Sequence, residues 1–264
     1  FASTWILAMI GSIDLNADLG EDESEEGIAR DVAMMDIISS CNIACGGHAG
    51  SPEHMEHMLC VAAEKSVAAG VHPSYPDRQN FGRVSLDISD IALKNSLLSQ
   101  LASIKAAASK TGVKLAHIKP HGALYNDAQD QEALAGILIE LAVSENLPLV
   151  GMSQSLLQKK ADAADIPYIV EAFIDRRYTA DARLVARNEH GAVIEENSNR
   201  LDQGVALATG NPIMSNDGIL VEISAETLCL HSDSAGALET AQAMRQKLEQ
   251  AGIQVKAVSR DRSK

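Results

Sequence analysis

Aromatic residues are scarce in this chain of 264 residues, at 3% against 46% for hydrophobic residues as a whole. The interior must therefore be filled by Ala, Val, Ile and Leu, which favours layers of strands and helices over an aromatic-rich all-β domain. Long apolar runs are lacking as well, since residues 5–10 are too few to span a bilayer and follow no basic segment. We therefore expect no membrane partner.

Positive charge is in deficit, because 22 Lys and Arg residues stand against 36 Asp and Glu residues and leave a formal net charge of −14. Nucleic acid is not an expected partner, since binding to its phosphate groups requires clustered Lys and Arg. The four cysteines form neither a zinc-binding pair nor a C-x-x-C redox motif. They are predicted to be buried, reduced thiols of a cytoplasmic protein.

The domain organisation is predicted to be simple. Residues 1–12 are interpreted as an N-terminal extension or a cloning remnant, because the strand pattern begins sharply at Ile13. No linker-like segment divides residues 13–264, and this length suits one large α/β domain. We therefore expect a single barrel domain over residues 13–264.

Strand-like segments alternate with segments of helical spacing from Ile13 onward. In residues 25–40, for example, apolar side chains recur at helical spacing after an alternating strand pattern. Such alternation predicts parallel strands joined by right-handed crossovers, and polar strand ends at one rim are typical of the active site of a parallel barrel. With about seven such units, we predict an α/β fold with a distorted parallel barrel. A doubly wound open sheet is the alternative, although the chain has no G-x-G-x-x-G or G-x-x-x-x-G-K-[ST] loop.

The stretch at residues 113–125 shows the polar strand end most clearly. An apolar strand pattern there runs into Lys119, Pro120, His121 and Gly122. Pro120 has no N–H group and favours extended backbone at the residue before it, so strand pairing should stop here. The side chains of Lys119 and His121 are then left at the rim, and Gly122 lets the backbone turn away.

Other strands end in a similar way. Asp14, Asn16 and Asp18 share one face of the first strand and should point into the barrel, unless this strand is a solvated edge. The remaining strand ends supply His48, His72, Asp175, Arg176, His231 and Asp233. The arginine pair at residues 176–177 predicts either a clamp for an anion or an ion-pair network.

Six segments, in the same order along the chain, closely resemble motifs of the LamB/YcsF family of 5-oxoprolinase A subunits. They are residues 14–21, 42–50, 72–77 with 81–83, 119–126, 175–178 and 230–233. The resemblance runs from Ile13 to the end of the chain. It implies a distorted seven-stranded parallel (β/α) barrel of the glycoside hydrolase/deacetylase type. It also implies cleavage of 5-oxoproline to L-glutamate coupled to ATP hydrolysis, with 5-oxoprolinase subunits B and C as partners.

The resemblance and the strand ends together give the candidate site. The predicted catalytic residues are Asp14, Asp18, His48, His72, Lys119 and His121. The predicted substrate-binding residues are Asn16, Glu21, Arg83, Tyr125, Asp175, Arg176, His231 and Asp233. ATP is expected as a co-substrate and Mg²⁺ as the divalent cation that accompanies it, while no residue is assigned as a metal ligand.

The chemistry of a lactam sets what such a site must do. An unstrained lactam is a poor electrophile, so opening it requires activation of its carbonyl group, an activated water and a proton for the leaving nitrogen. Two alternatives stay open at this point. Asp with two His residues is also a plausible site for a metal-dependent deacetylase, and a polar rim alone would serve a non-catalytic substrate-binding subunit.

Overall fold

The structure is a computed structural model that describes residues 11–187, 189–230 and 236–260. Its strands are β1 (Ser12–Leu19), β2 (Ser40–Ala44), β3 (Ala68–His72), β4 (Leu149–Gly151), β5 (Tyr168–Phe173), β6 (Ile213–Met214), β7 (Leu220–Val221), β8 (Thr227–Leu230) and β9 (Gln254–Val255). Its helices are α1 (Glu25–Met34), α2 (Pro52–Glu64), α3 (Asp90–Thr111), α4 (Gly122–Ala128), α5 (Glu132–Glu145), α6 (Leu156–Ala163), α7 (Asn197–Ala208) and α8 (Ala237–Gln250).

The main sheet is parallel and curls into a distorted barrel. Its strands follow the order β3-β2-β1-β8-β5-β4, and β9 pairs with β1 beside this path. Parallel bridges from Ile118 to Val71 on β3 and to Leu149 on β4 join the two ends of this order. The segment around Ile118 therefore takes the seventh position, and the predicted seven-stranded parallel barrel is confirmed.

This seventh position is shorter than the sequence predicts. The strand pattern covers residues 113–119, but the structure pairs the segment as a strand only at Ile118. Ile118 donates its N–H to the carbonyl of Pro148 at 2.9 Å, and Lys119 donates to Val71 at 2.9 Å. Pro120 and Pro148 lack the N–H groups that a longer hydrogen-bond ladder would need.

Serine side chains begin four of the helices. Ser24, Ser51, Ser89 and Ser155 accept hydrogen bonds from backbone N–H groups of the first turns of α1, α2, α3 and α6. Gly112 ends α3 in the left-handed conformation, which glycine adopts without steric cost. Helix α1 ends at Met34, whereas the periodicity predicted helix as far as residue 40.

The inner face of β1 is polar and buried. This strand lies between β2 and β8, so the alternative of a solvated edge strand is wrong. Asp14 and Asn16 are buried on this face, whereas Leu15, Ala17 and Leu19 pack into the apolar layer beneath the helices. Such a polar interior is stable only when its groups are hydrogen-bonded to one another, and this network determines the position of the site.

The cysteines depart from expectation at one position. All four are free, as predicted, but Cys60 on α2 is exposed while the other three are buried. Within the described residues, no helix combines the length and the apolar character that crossing a membrane requires.

Candidate functional site

A cavity of about 550 Å³ opens at the carboxyl ends of the barrel strands. This volume lies in the usual range for small-molecule sites, about 300–1,000 Å³. Predicted site residues that line it are Asp18, Glu21, Arg83, Lys119, His121, Tyr125 and Arg176. The strand ends that looked separate in the sequence therefore meet around one space.

Lys119 is a buried cation at the base of this cavity. Its Nζ lies 2.9 Å from Asp18 Oδ1 and 2.8 Å from Glu171 Oε1, and it donates to Asn16 Oδ1 at 3.2 Å. Burial alone would lower the pKa of Lys119, but the carboxylates of Asp18 and Glu171 outweigh it and raise the pKa well above its usual value. Lys119 is therefore held in the charged form.

Asp18 is kept ionised by the same contacts. Burial alone would raise its pKa, but the contacts with His72 and Lys119 outweigh burial and hold the pKa well below its usual value. His72 Nε2 lies 3.3 Å from Asp18 Oδ2. The cavity therefore presents a carboxylate whose two oxygens are both engaged by basic groups.

A cluster of one carboxylate and three histidines lies beside Asp18, and we call Glu21, His48, His72 and His121 the Glu–His cluster. Glu21 Oε1 is 2.9 Å from His48 Nε2 and 3.2 Å from His121 Nδ1. His121 Nδ1 lies 3.0 Å from His72 Nε2. One donor atom from each of the four residues lies within 4.8 Å of every other, so the cluster has the donors and the spacing to hold a metal ion.

The pKa values in this cluster are shifted by burial and by mutual contacts. Burial would raise the pKa of the Glu21 carboxyl, but hydrogen bonds from His121 and His48 outweigh it and hold the pKa far below its usual range. Burial lowers the pKa of His48 to about 4, so that ring is neutral near pH 7. Glu21 is therefore an ionised carboxylate among imidazole rings.

Two glycines allow a loop to approach His121. Gly122 has a φ of 59°, and a Cβ atom there would lie 2.4 Å from the carbonyl oxygen of Gly82. Ala123 donates its N–H to that oxygen at 2.9 Å, and His121 Nε2 lies 3.0 Å from the carbonyl of Phe81. The motif at residues 81–83 therefore positions the His121 ring and brings Arg83 to the cavity.

Some predicted site residues lie elsewhere. Asp14 does not line the cavity, because β1 runs along the barrel and four residues span about 13 Å. Its carboxylate accepts hydrogen bonds from Ser39, Ser40 and Thr227, each at 2.6 Å, and burial raises its pKa. The structure therefore does not bring these two predicted catalytic residues, Asp14 and Asp18, to one cavity. Two of its partners, Ser39 and Ser40, lie beyond the end of α1, where the periodicity had predicted helix.

The other predicted residues lie behind or beside the cavity. Asn16 donates to Glu171 at 3.0 Å and to Thr227 at 2.7 Å, so it supports the layer under Lys119. His48 and His72 are buried behind His121, and Asp175 is not among the lining residues. His231 and Asp233 lie outside the described residues.

Several residues of the site were missed by the sequence analysis. Glu171 is 1% exposed and pairs with Lys119, and its signal was a single acid within the otherwise apolar strand at residues 168–173. Arg183 and Arg187 also line the cavity, although neither lies at a predicted strand end. Arg183 pairs with Asp130 at 3.2 Å, so it also ties this segment to the start of α5.

A parallel (β/α) barrel with a charged cavity at the carboxyl ends of its strands belongs to the class of barrel proteins that hold a small molecule there. Within that class, the chain belongs to the LamB/YcsF family, whose model matches residues 13–263. Relatives include a 5-oxoprolinase A subunit of Agrobacterium fabrum, which is 39% identical and aligns over 96% of this chain and 100% of its own. The 5-oxoprolinase A subunit of Chloroflexus aggregans is 40% identical over 93% of this chain and 98% of its own.

A solved structure agrees with these relatives. The lactam utilization protein from Thermus thermophilus is 33% identical and superimposes with a TM-score of 0.86. The match covers 94% of this chain and 100% of that protein. The fold and the family are therefore shared over nearly the whole chain.

Proposed function

We propose that this chain is the A subunit of an ATP-dependent 5-oxoprolinase, acting with subunits B and C, and that its cavity opens the activated lactam ring of 5-oxoproline. Similarity to a lactam utilization protein and to proteins named as 5-oxoprolinase A subunits supports this. The observation that carries the proposal is the lining of the cavity, which combines cationic side chains with carboxylate and imidazole groups. Such a lining suits an anionic substrate whose reaction requires proton transfer.

Arginine side chains bind the substrate carboxylate in this proposal. Arg176 is buried at the cavity, and its Nε has no hydrogen-bond partner among the described residues. A planar guanidinium group binds a carboxylate through two parallel hydrogen bonds, so Arg176 is well suited to that role. Arg83 lines the same cavity and adds positive charge.

Ring opening is the step assigned to this chain. Transfer of the terminal phosphoryl group of ATP to the lactam oxygen turns that oxygen into a leaving group. Water then adds to the phosphorylated carbonyl carbon, the carbon–nitrogen bond breaks and the nitrogen takes a proton, which leaves an acyl phosphate. A second water adds to that acyl carbon, and phosphate leaves to give glutamate. Asp18 takes the proton from water and passes it to the leaving nitrogen, while Lys119 keeps Asp18 ionised beforehand.

ATP is assigned to the assembly rather than to a loop of this chain. The sequence has neither of the two common phosphate-binding glycine loops. In this proposal the partner subunits therefore bind ATP with Mg²⁺ and phosphorylate the lactam. The product of that step then reacts at the cavity described above.

The test is glutamate formation from 5-oxoproline and ATP by this chain alone, by subunits B and C alone, and by the mixture. We expect glutamate only in the mixture, because each part performs one of two successive steps. No glutamate in any mixture, with all three proteins folded, would overturn the proposal. Glutamate from subunits B and C alone would reduce this chain to a non-catalytic binding protein.

A further inference from the structure

The hydrogen bonds of two histidines leave an unusual contact between their rings. His72 Nδ1 lies 2.8 Å from the carbonyl oxygen of Lys119, and His121 Nε2 lies 3.0 Å from that of Phe81. A carbonyl oxygen only accepts hydrogen bonds, so both of these nitrogens carry the ring proton. In the neutral rings, the opposite nitrogens, His72 Nε2 and His121 Nδ1, then present lone pairs to each other at 3.0 Å.

Carboxylate oxygens surround the same point. Glu21 Oε1 is 3.2 Å from His121 Nδ1 and 3.9 Å from His72 Nε2. Asp18 Oδ2 is 3.3 Å from His72 Nε2. With both rings neutral, only acceptor atoms converge here, so the point requires a cation, which is either an added proton on one ring or a metal ion.

We propose that a divalent transition-metal ion of the zinc type binds at this point, held by Glu21 Oε1, His72 Nε2 and His121 Nδ1. Ligands about 2.0–2.2 Å from a tetrahedral zinc ion are about 3.3–3.6 Å apart, and the three observed separations of 3.0, 3.2 and 3.9 Å bracket that spacing. The carbonyl groups of Lys119 and Phe81 fix the tautomer of each histidine ligand, as partners of metal-bound histidines do.

His48 has a supporting position in this site. Its ring is stacked on that of His121, with centroids 3.7 Å apart and planes 3° from parallel. Two parallel rings cannot both direct an in-plane lone pair at one ion, so His48 instead holds Glu21 through the 2.9 Å contact at Nε2. Since Glu21 and His121 line the cavity, the remaining coordination position faces the cavity.

The donor set selects the kind of ion. Two imidazole nitrogens and one carboxylate suit Zn²⁺, Co²⁺, Fe²⁺, Mn²⁺ or Ni²⁺, whereas Mg²⁺ and Ca²⁺ prefer oxygen ligands. The ion is therefore distinct from the Mg²⁺ that accompanies ATP. The inference goes beyond the proposed function, because it holds whether or not 5-oxoproline is the substrate.

Calorimetric titration of the full chain with Zn²⁺, after dialysis against a chelator, tests the site directly. We expect one ion per chain, and with Co²⁺ the visible absorption of a nitrogen- and oxygen-ligated ion. Loss of a ligand's hydrogen-bonding partner weakens metal binding by roughly 10–100-fold. Glu21→Gln and His121→Gln each change a ligand itself, so each should weaken Zn²⁺ binding by more than that. His48→Gln removes only a partner of Glu21, so it should weaken binding by roughly 10–100-fold.

His57→Gln is the matched control, because His57 is an exposed histidine on α2. It should bind one ion with unchanged affinity. No binding by the unaltered chain, or equal binding by all variants, would overturn the site. Circular dichroism of each variant shows that it is folded, and Glu21→Gln keeps the side-chain size, so at least one ligand substitution remains interpretable. Neither readout depends on glutamate formation, so this test and that of the proposed function fail independently.

Discussion

Lys119 is the residue on which the buried charges depend. Its Nζ contacts carboxylates on two different strands, Asp18 at the end of β1 and Glu171 within β5. Lys119→Met leaves the fully buried Glu171 carboxylate without its cation, and loss of one partner of a buried pair costs about 3–5 kcal/mol. We expect the free energy of unfolding in urea to fall by that amount.

The double variant Lys119→Met with Glu171→Gln is the control for this prediction. It removes both charges, so it should recover part of the lost free energy of unfolding. Lys114→Met, at an exposed position of the same segment, should change stability by no more than about 0.5 kcal/mol. A cost for Lys119→Met as small as that of Lys114→Met would show that the pair does not stabilise the barrel.

At the residue scale, strand-end chemistry predicted the cavity residues better than their partners. Lys119 and His121 follow a strand and precede a proline and a glycine, a pattern that is visible locally. Glu171 meets Lys119 only because the segment at Ile118 pairs with β4 and β4 pairs with β5, which no local pattern contains. The period of two placed Asp14 and Asp18 on one face correctly, but it does not say which end of a strand faces the cavity.

Among the helices, α1 connects to the end of β1 through a buried acid. Asp31 Oδ2 accepts the N–H of Gly20 at 2.8 Å. Burial, with smaller contributions from Glu21 and Asp22, raises the pKa of Asp31 from 3.8 to about 6. The folded state therefore binds this proton more tightly than the unfolded state does. The contribution of Asp31 to the free energy of unfolding falls as pH rises from about 4 to about 6, and it remains at the lower value at higher pH.

The change that tests this is Asp31→Asn, whose amide oxygen can still accept from Gly20. Urea unfolding should give the free energy of unfolding of the variant and of the unaltered chain at about pH 4 and about pH 7.5. The difference between the two proteins should shift in favour of the variant by roughly 2–3 kcal/mol from the lower to the higher pH. Asp36→Asn, at an exposed carboxyl just beyond the same helix, serves as the control and should show no comparable gain. A stability difference for Asp31→Asn that is the same at both pH values would contradict the assignment.

The turn between the seventh strand position and α4 makes a second prediction at the scale of elements. Gly122→Ala adds a Cβ atom 2.4 Å from the carbonyl oxygen of Gly82, at a φ of 59°. We expect the loop at residues 81–83 to move away from His121. The free energy of unfolding should fall by about 1–3 kcal/mol, and the mixture of subunits should form glutamate more slowly. Gly136→Ala in α5 is the control, since nothing lies within 4 Å of its Cβ, and it should stabilise by about 0.5–1 kcal/mol. Equal stability and turnover in the two variants would contradict the role of Gly122.

Helices were more predictable than strands in this chain. Serine caps and a C-terminal glycine are local signals, and they coincide with the start of α2 and with both ends of α3. Residues 113–119 had the pattern of a strand but pair only at Ile118. Pro120 just after the segment and Pro148 just before the neighbouring strand β4 have no N–H group to donate. Strand length depends on partners that are distant in sequence, so apolar pattern alone overestimates it.

The distribution of charge links the whole molecule to its cavity. A chain of net charge −14 gathers Lys119 and four arginines around one opening: Arg83, Arg176, Arg183 and Arg187. The same opening carries the carboxylates of Asp18, Glu21, Asp127 and Asp130, so it presents both signs of charge to a ligand. The acidic composition argued against nucleic acid as a partner, but it could not show that the few cations converge, because their convergence depends on closure of the barrel through Ile118.

The division of labour in the proposed assembly leads to a prediction for the complete mixture of subunits. If the partners phosphorylate 5-oxoproline and this chain opens the ring, Asp18→Asn blocks the second step after the first has occurred. Rapid-quench measurements should then show one ADP formed per complex, followed by a stall, with steady glutamate formation reduced at least about 100-fold.

Asp14→Asn is the matched control, because Asp14 shares the inner face of β1 but does not line the cavity. The folded fraction of this variant should support glutamate formation at the normal rate. Unchanged glutamate formation by Asp18→Asn would remove Asp18 from the reaction. Loss of the initial ADP with 5-oxoproline still bound would instead assign Asp18, and with it this cavity, to the phosphorylation step.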